Sequence, residues 1–94
     1  MKKFVLMLGL LLISACATKP PVQEMAEARS AIHMAAKLPG DHPRAEAYLK
    51  SAEQALEEAA REIDAEHFEH ARRKALEAKR HAQQAARIKQ QAKP

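Results

Sequence analysis

Three groups of side chains have the types and spacing to do chemistry. His67 and His70 stand three residues apart, with Glu66 and Glu69 beside them. That spacing puts two imidazoles on one helix face, where they can meet one metal ion. A closed site needs about four ligands, so the rest would have to come from the preceding helix, a neighbouring chain or His42. The plainer reading of the pair is a polar helix start with no metal. The second group is basic: Arg72, Arg73, Lys74, Lys79, Arg80 and Arg87. It could draw lipid phosphates, anionic headgroups or peptidoglycan carboxylates by charge, or simply neutralise the acidic stretch before it. The third is Cys16, the only cysteine, which has no disulfide partner within its own chain. Catalysis has no support. Ser30 and Ser51 fall in helical patterns, and no glycine-rich phosphate loop or nucleophile elbow is present, so the expectation is a protein that is not an enzyme. No aromatic residues interleave with the basic ones, which argues against nucleic acid as a partner.

The surroundings of Cys16 explain it. Met1-Lys2-Lys3 is a positive start, Phe4 to Ile13 is apolar apart from Gly9, and the small residues Ser14 and Ala15 follow. This is the pattern of a secretory signal, and the apolar run is too short to span a bilayer, which takes about 20 residues. Ile13-Ser14-Ala15-Cys16 resembles the bacterial lipobox. The resemblance implies diacylglyceryl transfer to the Cys16 thiol, cleavage between Ala15 and Cys16, and a further acyl chain such as palmitate on the freed amine. No other cofactor is expected. Two or three acyl chains hold a protein on a membrane, since each buried methylene contributes about 0.8 kcal/mol. Ala17 and Thr18 lack the Asp that retains lipoproteins in the inner membrane of some bacteria. By that analogy the expected place is the periplasmic face of the outer membrane, with the inner membrane second. The chain ends Lys93-Pro94, so attachment to peptidoglycan through a terminal lysine is not expected.

The expected organisation is a signal peptide at 1–15, a lipidated tether at 16–22, a helical domain at 23–91 and a tail at 92–94. Loss of Lys2 and Lys3 with the signal lowers the net charge from +4 to +2. The remaining residues include 20 alanines and only 12 larger apolar residues. Such a domain buries a thin core, so a homo-oligomer or an envelope protein partner is a reasonable expectation. Breaks fall at Pro39-Gly40-Asp41-His42-Pro43, where Asp41 is the candidate N-cap, and more softly at Ile63 to His67, where Asp64 could cap a new helix. They divide the domain into helices at about 21–38, 43–63 and 65–91. The second carries Ala45, Leu49, Ala52, Leu56, Ala59 and Ile63 at alternating steps of four and three, a coiled-coil seam. The first repeats it with Met25, Ala28, Ile32 and Ala35. The third carries Phe68, Ala71, Ala75, Ala78, Ala82 and Ala85, is interrupted by Lys89 and resumes at Ala92. The predicted fold is all-α: an alanine-rich antiparallel hairpin with a shorter N-terminal helix against it.

Charge fits that hairpin. Ala45 to Glu69 holds eight acidic residues against Lys50 and Arg61, and Arg72 to Pro94 holds eight basic residues against Glu77. Antiparallel helices of opposite sign would face each other, and Glu46–Lys50, Glu57–Arg61 and Glu69–Arg73 have the spacing for local pairs.

Three segments carry a likeness to a known family: Glu27-Ala28-Arg29-Ser30-Ala31-Ile32, Leu49-Lys50-Ser51-Ala52-Glu53-Gln54-Ala55-Leu56, and His67-Phe68-Glu69-His70-Ala71-Arg72 with the alanines after it. Over about residues 22–86 the chain resembles the short bacterial lipoproteins catalogued as domain of unknown function 4398. The resemblance implies a helical, membrane-attached envelope protein and brings no catalytic residues. The family's second turn usually has Gly-Asp before the aromatic, where this chain has Glu66-His67, so the second and third helices meet either in a turn or in a kink.

Overall fold

A computed structural model describes residues 19–92. The signal segment and its cleavage site, the first three residues of the tether including Cys16, and the last two residues of the tail lie outside them. The described residues form three helices and no strand: α1 (Val22–Lys37), α2 (Pro43–Asp64) and α3 (Phe68–Gln91). They make an up-down-up bundle. α3 packs along both other helices, while α1 and α2 touch each other least.

The helix ends follow from local chemistry. Leu38 precedes Pro39 and is pushed to extended backbone (φ −63°, ψ 136°), which stops α1. His42, before Pro43, is extended for the same reason. It therefore takes the N-cap position expected of Asp41, and its side chain makes no cap bond. The second connection is a turn. Asp64 is the last residue of α2 and does not cap α3, which begins at Phe68 and not at residue 65. The His67 N–H donates to Glu62 O at 2.8 Å and the Glu66 N–H to Ile63 O at 2.9 Å. This pair of bonds is the Schellman closure, whose penultimate residue must be left-handed and is usually glycine. Here that residue is Glu66, at φ 64°. The turn is thus a Schellman turn made without glycine.

The seams meet in layers along the bundle. At the end nearest the tether, Met25, Ala59 and Ala75 pack with Leu56 and Ile63. Ala28, Ala55 and Ala78 form the next layer. At the far end Ala35, Ala45, Leu49, Ala85 and Ile88 pack with Ile32 and Tyr48. The fully buried positions are almost all alanine, so the backbones approach closely and each layer is thin. The α3 seam ends on Ile88 and Lys89, not on Ala92, which is exposed.

Candidate functional site

Lys89, where the α3 seam breaks, is the one charged residue among the buried positions, 5% exposed. Its Nζ donates to Ala35 O at 3.0 Å and Leu38 O at 3.3 Å, and lies 3.7 Å from Glu46 Oε1. The last carbonyls of a helix lack intrahelical partners and carry partial negative charge. From a different helix, Lys89 adds a second donor to the Ala35 carbonyl, which also accepts from the Leu38 N–H, bonds the carbonyl of the C-cap Leu38, and reaches the first turn of α2. It is a structural clamp with its donors occupied. The sequence signal for it was an apolar seam broken by a single cation level with the end of a helix.

At the opposite end, Glu62 collects both predicted histidines. The His67 Nδ1–H donates to Glu62 Oε2 at 2.8 Å, and His70 Nδ1 lies 3.5 Å from the same oxygen. The histidine contacts hold the Glu62 carboxyl below its usual range, the His67 hydrogen bond first among them. Both histidines are open to solvent, His67 more so, while Glu62 is partly covered. His42 stands at the other end of α2, roughly 30 Å away at 1.5 Å per residue, and cannot join them. Among the described residues no set of three or more candidate ligands is arranged to hold a metal. His33 is exposed, and His81 is partly covered, with its ring centroid 5.9 Å from that of Tyr48.

The basic residues of α3 divide into two sets. Arg72 pairs with Glu69, Lys74 reaches Glu58 at 3.0 Å and Glu77 at 3.3 Å, and Lys79 reaches Glu27 at 2.8 Å. Their partners' pKa values respond: the hydrogen bonds from Lys79 and Arg72 lower Glu27 and Glu69 respectively. Among the described residues, Lys74 with Glu58 and Lys89 with Glu46 make the predicted pairing between the basic cations of α3 and the carboxylates of α2, while Arg72 and Lys79 pair with acids of α3 and α1. The local pairs Glu46–Lys50, Glu57–Arg61 and Glu69–Arg73 do not form: Glu46 turns to Lys89 and Glu69 to Arg72. Arg73, Arg80 and Arg87 are exposed, with no acidic group within 4 Å among the described residues. Seven-residue spacing lines them up about 10 Å apart on the side of α3 opposite its alanine seam.

The tether enters beside the second turn. Lys19, Pro20 and Pro21 lie with Glu24 against Phe68, Glu69 and Arg72, and the Met25 N–H donates to Pro21 O at 3.0 Å. No helix among the described residues is long and apolar enough to cross a membrane. Comparison with known protein families, with curated proteins and with solved structures returns no match.

Proposed function

We propose that the chain is a lipid-anchored protein of the bacterial cell envelope that works without catalysis, as a spacer or docking module held at a membrane by Cys16. The observation that carries this reading is where the bundle meets its tether. Residues 19–21 line one pocket with Phe68 and Arg72 at one end of the helices, so an anchor three residues upstream would hold that end at the membrane and present the helix faces beyond it. The likeness to the short-lipoprotein family and the lipobox resemblance at Ile13 to Cys16 support the same reading, and the place proposed for it is the periplasmic face of the outer membrane.

The test is metabolic labelling of the full chain with a palmitate analogue, followed by separation of the two membranes. Wild-type chain is expected to carry label in the outer-membrane fraction, and Cys16→Ser to carry none. Label-free wild-type chain overturns the anchor. A second reading is favoured by the unpaired row of Arg73, Arg80 and Arg87: adhesion to anionic envelope polymers, peptidoglycan or lipopolysaccharide. Cosedimentation with either polymer should then weaken as salt rises, and weaken again when the three arginines are changed to glutamine. Binding that survives the triple change rules that reading out.

A further inference from the structure

We infer that the groove between α1 and α2 is the interface of a homodimer whose two-fold axis runs along the bundle. α1 and α2 are each packed on α3 more than on each other, which leaves a groove lined by Arg29, Ile32, His33, Ala36, Glu53, Leu56 and Glu57. Its floor is apolar: Ile32 and Leu56 stay partly exposed and Ala36 is exposed. Its walls differ in sign. The α1 wall offers Arg29 and His33, and the α2 wall offers Glu53 and Glu57.

Arg29 and both glutamates make no ion pair within 4 Å among the described residues, although they line one groove. All three charges are therefore available to another chain. A groove with an apolar floor, one basic wall and one acidic wall is complementary to itself, and this singles out a second copy as the occupant.

The charges also select the axis. Two copies facing groove to groove can be related by a dyad along the helices or by one across them. The crosswise dyad lays α1 on α1 and α2 on α2, like against like. The lengthwise dyad lays α1 of each copy over α2 of the other and keeps every residue at its own height. Ala28 and Ala55 share a layer, so Arg29 stands level with Glu53 and Glu57, and each arginine meets the other copy's carboxylates. Ile32 and Leu56 of the two copies then close over one another and thicken a core made mostly of alanine. Both tethers leave from the same end, as two chains anchored in one membrane require. The unpaired arginine row, on the far side of α3, faces outward from both halves. The assignment stands on the groove and its charges and does not depend on acylation of Cys16.

The test is sedimentation equilibrium of the full chain in detergent. Wild-type chain is expected to be a dimer. The double variant Glu53→Lys with Glu57→Lys should raise the dimer dissociation constant at least about tenfold, because attractive pairs become repulsive in both halves. Adding Arg29→Glu to the same chain should restore dimerisation. Circular dichroism should be unchanged throughout, since none of the three residues has a partner to lose. A second measurement fixes the axis. Two differently tagged copies, one with Arg29→Cys and one with Glu57→Cys, should be joined by a short bis-maleimide above the level given by Cys16 alone, while Arg29→Cys paired with itself should not. A monomeric wild type, a dimer indifferent to the charge changes, or crosslinking of Arg29→Cys to itself at the mixed-pair level would each overturn the assignment. Palmitate labelling is scored separately, so failure of the anchor and failure of the dimer are distinguishable.

Discussion

The two ends of the bundle solve the same problem, a connection between antiparallel helices, in opposite ways. At the end away from the tether, five residues from Leu38 to His42 link α1 to α2, with Pro39, Gly40 at φ 118° and Pro43 shaping the backbone. The connection is then held from outside by Lys89. At the tether end, three residues from Ala65 to His67 link α2 to α3 with no glycine or proline. The backbone makes its own closure there and places Glu66 in a left-handed conformation. One end is held by a tertiary contact and the other by local hydrogen bonds under strain. Stability should therefore be sensitive to a distant substitution at the first end and improvable by a local one at the second.

The largest effect is expected at the clamp. Lys89→Ala removes two charge-assisted bonds, leaving Ala35 O with the Leu38 N–H alone and the Leu38 carbonyl without its lysine donor, a loss of about 3 kcal/mol. Urea unfolding of the full chain in detergent measures it, and exposure of α1 amides to hydrogen exchange should increase most near its C-terminus. Next comes the layer between the ends. Ala78→Leu forces extra volume against Ala28 and Ala55, its partners in a layer of one alanine from each helix, and should cost roughly 2 kcal/mol by overpacking. It should loosen both ends alike, against the one-sided effect of Lys89→Ala.

A smaller change of opposite sign is expected at the turn. Glu66→Gly relieves the left-handed strain and should stabilise by about 1 kcal/mol, net of glycine's entropy in the unfolded chain. The smallest effect is the pH dependence of the same turn. Glu62 has its pKa lowered in the folded state, so its contribution is complete above the ordinary carboxylate value of 4.5 and is lost as the pH falls through the folded value. The melting temperature of Glu62→Gln should accordingly fall less than that of wild type between pH 6 and pH 3.

Much of this was legible in the order of residues, for a physical reason. A helix buries one stripe, so Ala45, Leu49, Ala52 and Ala59 declare α2 through their period, and proline declares the first break because it removes an N–H and restricts its neighbour. The second break was softer because the closing hydrogen bonds are made by backbone, which any residue carries. Glu66 in place of glycine gave no sign whether the chain turned or kinked. Of the six basic residues singled out on α3, the residue list alone could not separate paired from free. Lys79 is occupied by Glu27, 52 positions earlier, a distance over which sequence spacing carries no information.

The residue order by itself determined the three helices, the alanine seams and the apolar run that ends at Cys16, because each is written in spacing along a single segment. The tertiary structure alone decided that Lys89 is a buried clamp, that Glu62 joins the two histidines, and that Arg73, Arg80 and Arg87 are left without partners. It also decided that Arg29 lines the same groove as Glu53 and Glu57 without pairing with either among the described residues. Each of these depends on which helix lies beside which, and at what height. Close packing of alanine layers sets both.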